Sequence, residues 1–399
     1  MDVQDWDYVI VGSGLAGVSA IEGIRESDKE HSILMIGADP NLPYDRPPLS
    51  KKLWLGKKKV EDIFLHGQDF YDQNRVTLHL GNRIEHIDPV TKIIRDNRNR
   101  TFHYGKLLLA TGGIPQVFHL PGGNLEEIFY FRTLDDYKWL RERAAPGKEV
   151  VVVGGGFIGS EMAAALCANN LKVTMMYGSP YICSRVFPES LGKGMENIYR
   201  EKGIRILKGV KPTSFERQGT RIVIQTNQDQ IKTDLVVAGI GIKPNVGLAE
   251  IAGLKTNDGI LVNSFLQTSH PDIYAAGDNT RFHCPGLGRE IRLEHWDNAL
   301  KQGKLAGKNM AGASEPYTQL PFFFSDLFEF GYEAVGEIDP HLEIFADWQK
   351  ENDTGVIYYL RSGKLRGALM CNVWDKVEKA KELIIQEAGP ADSLRGAIQ

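Results

Sequence analysis

One pattern occurs twice in this chain, and few folds accommodate it. In residues 7–17, Asp-Tyr-Val-Ile-Val-Gly-Ser-Gly-Leu-Ala-Gly, an apolar run at residues 8–11 ends in the spacing Gly12-x-Gly14-x-x-Gly17, and a helical apolar pattern at Val18, Ile21 and Ile24 follows. In residues 149–161 the run Val150-Val151-Val152-Val153 ends in Gly154-x-Gly156-x-x-Gly159, and a helical pattern continues through Leu166. Each stretch reads as a buried parallel strand, a tight turn and a helix. The glycines have separate tasks: the first permits the turn, the second lets a pyrophosphate approach the backbone, and the third lets helix and strand pack closely. The anion then lies against the free amides at the positive end of the helix. One such turn is a weak signal, because a glycine-rich turn can bind nothing. Two in one chain imply two dinucleotides on one protein.

A length of 399 residues implies two or three domains. With 42% hydrophobic and 25% charged residues the composition is that of a soluble globular protein, and a net charge of −4 gives no overall attraction to nucleic acid or to an anionic membrane. No apolar run approaches the roughly 20 residues that span a bilayer, and the start Met1-Asp2-Val3-Gln4-Asp5 lacks the basic and apolar regions of a secretory signal. A cytoplasmic protein without nucleic-acid or membrane partners is expected. Cys167, Cys183, Cys284 and Cys371 are scattered without Cys-x-x-Cys or metal-ligand spacing, so neither a redox disulfide nor a metal site is expected.

The remaining chain supplies groups for two nucleotides. Residues 32–36 read as a second strand, whose end in a dinucleotide fold carries an acid for ribose hydroxyls about 20 residues past the glycines. Gly37-Ala38 occupies that end and Asp39 follows, as either the ribose partner or a turn-forming acid before Pro40. In Leu42-Pro43-Tyr44-Asp45-Arg46-Pro47-Pro48-Leu49-Ser50-Lys51 the prolines stiffen the backbone ahead of a helix start. Arg46 suits a phosphate, while Lys51 by itself also fits a solvated lysine at a helix start. Residues 77–101 read as a meander of short strands, and residues 106–113 as an apolar strand entering the small-residue turn Ala110-Thr111-Gly112-Gly113.

The strand at residues 172–177 ends in Tyr177-Gly178-Ser179, with neither the acid that favours NAD nor the basic cluster that favours NADP. The absence of a basic cluster leans the reading toward NADH, and Arg185 reads as a structural or generic phosphate contact. Residues 235–239 enter a mirrored turn through Gly241. Residues 272–278 read as a short strand ending in Gly277 and Asp278; that acid either accepts from ribitol or ribose hydroxyls or caps the helix that resumes after Glu294. From residue 320 the chain turns aromatic and strand-like, and a charged helix at residues 375–387 closes a small α+β domain. Residues from Gly389 onward are expected to fray.

Taken together, Val11-Gly12-Ser13-Gly14-Leu15-Ala16-Gly17, Arg46-Pro47-Pro48-Leu49-Ser50-Lys51, Ala110-Thr111-Gly112, Gly154-Gly155-Gly156-Phe157-Ile158-Gly159-Ser160-Glu161 and Ala275-Ala276-Gly277-Asp278 carry a resemblance over nearly the full length. The chain resembles the FAD- and NAD(P)H-dependent reductases of the glutathione-reductase fold, and within them the oxygenase-coupled ferredoxin reductases and the apoptosis-inducing-factor proteins. The resemblance implies an α/β fold with two Rossmann-like dinucleotide-binding domains and a smaller C-terminal α+β domain. Residues 1–115 and 246–319 would form a discontinuous FAD-binding domain, residues 116–245 the NAD(P)H-binding domain, and residues 320–399 the C-terminal domain.

It implies further that the first glycine turn, Arg46, Thr111 and Asp278 hold FAD and that the second turn holds the nicotinamide cofactor, NADH or NADPH. Lys51 and Glu161 occupy the family's positions for an ion pair beside the flavin, where an ammonium stabilises the charge left by an arriving hydride and a carboxylate keeps the lysine charged against desolvation. Phe157 matches the aromatic that covers the nicotinamide, or is a core phenylalanine. Glu294, His295 and Trp296 fall where the family places residues around the flavin ring; a histidine packed in the core by a tryptophan is the other account.

The departures restrict the chemistry. The cysteine of disulfide- and peroxide-reducing relatives is missing, with Leu49, Ser50 and Lys51 in its place, so thiol chemistry has no nucleophile. Phe324, before Ser325-Asp326, stands where many relatives carry a tryptophan, so stacking can survive but an indole hydrogen bond cannot. The patterns at residues 330–336 and 355–361 look closer to apoptosis-inducing factor, without the long insertion of its animal forms.

The leading expectation is therefore an enzyme that passes a hydride from NAD(P)H to FAD and then single electrons to a small carrier of the ferredoxin or rubredoxin type, acting as a monomer or homodimer. Lys51-Lys52 and Lys57-Lys58-Lys59 form either a docking face for an acidic carrier or a solvated face. Two alternatives remain: a redox-sensing interaction protein with slow NADH oxidation, and a diaphorase acting on quinone or radical acceptors.

Overall fold

Strands buried on both faces of a parallel sheet need continuous apolar runs, and each glycine-ended run supplies a central strand. The computed structural model describes residues 3–398; Met1 and Asp2 of the acidic start, and Gln399, lie outside the described residues. The chain forms two compact units. One combines the chain up to Asp45 with Val60–Ile114 and Lys243–Phe322; the other combines Arg46–Lys59, Pro115–Ile242 and the chain from Phe323 onward.

In the first unit Gln4–Val11 lies between Ile33–Gly37 and Thr101–Leu109, with Val76–Leu80 and Ile273–Ala275 as their outer neighbours, all parallel. Val11 stands opposite both Ile36 and Leu109, and Ala275 opposite Leu109, so the carboxyl ends come level on one edge. Val9, Ile10, Leu34, Leu107 and Leu109 are fully buried, as this sheet requires. The meander strands Ile84–Asp88 and Ile93–Asp96 continue the sheet antiparallel beside the first half of Thr101–Leu109. Helix Leu15–Ser27 packs on helix Trp296–Met310 so closely that side chains at Gly303 and Gly307 would strike the backbone of Ala16 and Ala20.

The second unit repeats the plan. Its parallel sheet runs Arg205–Lys208, Lys172–Tyr177, Glu149–Val153, Leu235–Ala238, Ile128–Phe129, with helix Phe157–Ala168 after the central strand. A three-stranded antiparallel meander, Pro212–Gln218, Arg221–Thr226 and Gln230–Thr233, follows. The aromatic C-terminal region forms a five-stranded sheet in the order Phe322–Leu327, Phe330–Gly336, Lys364–Cys371, Thr354–Arg361, Glu343–Lys350, with helix Val377–Ile385 against it.

Two expectations are corrected and one strand is added. Residues 389–398 do not fray: Leu394 and Ile398 are 1% and 3% exposed, Gly396 N donates to Asp347, and Ile398 N donates to the Tyr358 hydroxyl at 3.2 Å. Two apolar side chains and two backbone bonds tie the segment down. The edge strand Glu343–Lys350 was not anticipated, because its mixed exposure gives no clean alternation. Near Lys51 the helix is only the 3₁₀ turn Pro47–Ser50, followed by further turns.

Candidate functional site

The carboxyl edge of the first sheet gathers the groups predicted for one nucleotide. Gly12 has φ +120°, and a Cβ there would fall 2.1 Å from the Ala110 carbonyl oxygen. At Gly17 a Cβ would fall 2.2 Å from the Gly12 oxygen, whereas at Gly14 it meets nothing within 4 Å. Turn, helix packing and open approach thus divide among the three glycines as their spacing demands, and the open space lies where a phosphate would approach. Helix Leu15–Ser27 begins on Gly14 with no side-chain cap and no acid in its first turn, so Leu15, Ala16 and Gly17 present amides to an anion.

Around this turn, Ala110 N donates to Val11 O at 2.8 Å, and Thr111 Oγ1 donates to the Asn245 carbonyl at 2.6 Å while accepting from Asn279 Nδ2 at 2.9 Å. Gly112 has φ +63°, and Gly277 N donates to the buried Gln302 Oε1 at 2.9 Å. Asp278 follows Gly277 in a turn, and the helix N-cap falls on His295 instead. Burial lowers the His295 ring to about 4, with the nearby Asp278 carboxylate opposing the shift, so the imidazole is neutral at neutral pH. Glu294 is exposed and paired with Arg292 at 2.7 Å. Trp296 Nε1 donates to Asp45 Oδ1 at 2.7 Å, which fixes the chain just before Arg46. Asp39 accepts from Asn41 N and Nδ2 at 3.0 and 2.9 Å and from the Tyr44 hydroxyl at 2.7 Å, the pattern of a turn-forming acid.

In the second unit Gly154 has φ +125°, and a Cβ would meet the Gly239 oxygen at 2.2 Å; one on Gly159 would meet the Gly154 oxygen at 2.1 Å, and one on Gly156 meets nothing within 4 Å. Helix Phe157–Ala168 again starts without a side-chain cap or an early acid. Ile158 is exposed, Phe157 is half-buried with its ring 5.4 Å from that of Phe323, and Gly241 accepts from Gln116 N at 2.9 Å with φ +101°.

On the same helix Glu161, 8% exposed, receives Lys51 Nζ at 3.2 Å, with the lysine 12% exposed. Ser50 Oγ donates to Glu161 Oε2 at 2.5 Å and Ser325 Oγ donates to Oε1. Neither serine was singled out from the sequence; the available signal was their position beside Lys51 and Phe324. Phe324 is 39% exposed, and Lys51 Nζ lies 5.4 Å from its ring centre. Lys51 is therefore absent from the basic face, which keeps exposed Lys52, Lys57 and Lys59. Arg46 donates to the Arg132 carbonyl at 3.4 Å.

Burial raises the Cys183 thiol to about 12 and Cys371 still further, so neither is a thiolate at neutral pH. Among the described residues no cluster of His, Cys, Asp and Glu could hold a metal, and no helix is long and apolar enough to cross a membrane.

Residues 6–303 match the pyridine nucleotide-disulphide oxidoreductase family, and residues 306–354 match the C-terminal region of mitochondrion-associated apoptosis-inducing factor. The chain is 35% identical over 330 residues to the ferredoxin–NAD(+) reductase component of the anthranilate 1,2-dioxygenase system of Burkholderia cepacia, covering 82% of this chain and 81% of that one. It is 33% identical over 424 residues to the mitochondrial apoptosis-inducing factor 1 of Dictyostelium discoideum, covering 96% and 79%. A putidaredoxin reductase, solved in covalent complex with putidaredoxin, superposes with a TM-score of 0.91 at 30% identity over 96% of this chain and 94% of that chain.

Proposed function

Because the chain belongs to the pyridine nucleotide-disulphide oxidoreductase family, we propose that it takes a hydride from NADH or NADPH onto a bound FAD and delivers electrons to a small iron–sulfur carrier of the ferredoxin or rubredoxin type. The observation that carries this reading is the pairing of two open glycine turns with a buried Lys51–Glu161 ion pair. When bound, FAD supplies the conversion of a two-electron hydride into single electrons.

In this reading the division into an FAD domain at residues 1–115 and 246–319, a nicotinamide domain at 116–245 and a C-terminal domain at 320–399 follows the two turns. The amides of residues 14–17 hold the FAD pyrophosphate, with Ala110, Thr111, Gly112 and Gly277 shaping the edge and Asp278 accepting from hydroxyls. Arg46 answers a phosphate. Asp39 has three donors already and contributes to the ribose only through its remaining acceptor capacity. Glu294, His295 and Trp296 border the ring, His295 as a neutral group. Gly154, Gly156, Ile158, Gly159 and Gly241 bind the nicotinamide cofactor, and Phe157 covers its ring. Glu161, clamped by Ser50 and Ser325, keeps the Lys51 ammonium in place, and that fixed charge favours arriving negative charge. A cytoplasmic setting suits such a carrier.

An anaerobic titration with NADH or NADPH tests the first half: the FAD-loaded protein bleaches at one equivalent. Adding candidate ferredoxins and rubredoxins then tests the second. Electron transfer to every carrier no faster than to oxygen would remove the carrier from the proposal. The match at residues 306–354 favours a second reading, a redox sensor; sizing before and after NADH separates them, since fast turnover with an unchanged oligomer excludes the sensor.

A further inference from the structure

We infer that the second nucleotide site accepts the adenosine 2′-phosphate, with Lys211 as its reader, so that NADPH is bound in preference to NADH. The inference deepens the proposed function and rests on its assignment of the second glycine turn to the nicotinamide cofactor.

The end of the strand Lys172–Tyr177 is where an acid would hold free ribose hydroxyls and repel a 2′-phosphate. Tyr177 stands there, 3% exposed, and its hydroxyl donates inward to Glu196 Oε1 at 2.7 Å. Glu196 is 1% exposed and also takes Arg200 at 3.0 Å, so that acid faces the interior and is already satisfied. The next residue, Gly178, is exposed, and a Cβ on it would lie 2.3 Å from Lys211 Cε. The lysine stem therefore crosses the strand end, and its ammonium is one bond further on. Lys211 N donates to Asn227 Oδ1 at 2.8 Å, which anchors its backbone, and among the described residues its ammonium enters no ion pair.

Ser179 brings the glycine turn into the same place. Its Oγ lies 3.2 Å from the position of a Cβ on Gly155 and donates to the Tyr181 carbonyl at 3.0 Å; a rotated hydroxyl serves a phosphate oxygen instead. Lys208 ends the neighbouring strand in register with Tyr177, with its charge near Glu189. An acid-free strand end crossed by an unpaired lysine is suited to a dianion and ill suited to discriminating against one.

The test uses FAD-loaded protein and titration calorimetry with adenosine 2′,5′-bisphosphate and with 5′-AMP, which differ only in the 2′-phosphate. The bisphosphate is expected to bind about 10-fold tighter or more, as a charge-assisted hydrogen bond supplies, and the ratio to fall as salt rises. Lys211→Ala should remove most of the ratio, with 5′-AMP binding reporting that the site is folded. Ser179→Glu should reverse the preference between NADPH and NADH. Equal affinities in the parent protein, or a ratio that Lys211→Ala leaves intact, would overturn the inference while the nicotinamide assignment stands. Failure of NADH, NADPH and both adenosine probes to bind would overturn the assignment itself, and the inference with it.

Discussion

Glu161 has one ionic partner and two hydroxyl donors, and these contribute unequally. Removing one member of a buried pair strands the other, so Glu161→Gln should lower stability on the order of 3 kcal/mol, read as a shift in the urea midpoint. Ser325→Ala leaves the pair but deletes a donor to a charge, at about 2 kcal/mol, and should slow hydride uptake in stopped flow by releasing the carboxylate. His295 gives a pH signature. Its folded value near 4 lies below the ordinary imidazole value near 6.5. Below the higher value the unfolded chain takes up the proton first, so the contribution is complete above about pH 6.5 and is lost as pH falls toward 4. Thermal melts between pH 7.5 and 4.5 should steepen in that window, and His295→Gln should flatten them.

At the scale of elements, the two glycine turns were legible because strand, turn and helix are contiguous, and Gly12, Gly14 and Gly17 behave as their spacing requires. The contrast between two of them is testable: Gly17→Ala should destabilise the protein because its Cβ falls 2.2 Å from a carbonyl oxygen, whereas Gly14→Ala should melt like the FAD-free parent but lose FAD on gel filtration. Lys211 was illegible for a topological reason. It lies beyond Gly178 by a helix, Glu189–Glu201, and a strand, and only the parallel pairing of Lys172–Tyr177 with Arg205–Lys208 brings it back. Ser50 and Ser325 share that difficulty, since the residue they serve lies on a third, distant segment. Asp39 differs in the opposite sense: its own neighbours, Asn41 and Tyr44, donate three hydrogen bonds to its carboxylate. The tail was misread because Leu394 and Ile398 are isolated apolar residues without a period; Leu394→Ala should cost about 3 kcal/mol, seen in the same urea assay.

For the whole molecule, a net charge of −4 conceals local basic character at Lys52, Lys57 and Lys59. If an acidic carrier docks there, its kcat/KM should fall several-fold between 0.05 and 0.5 M salt, about as far as screening shortens the reach of exposed charge, while reduction of ferricyanide changes far less. Equal salt dependence would assign those lysines to solvent. The order of segments has a consequence for biosynthesis. The sheet around Gln4–Val11 is completed by Ile273–Ala275, and helix Leu15–Ser27 is covered by Trp296–Met310. Ribosomal synthesis is vectorial, so the nascent amino-terminal strands wait, with apolar faces bare, until all of Pro115–Ile242 has emerged. The opening glycine turn is made long before Ile273–Ala275 and Trp296–Met310, and it reaches its final surroundings only after both have followed.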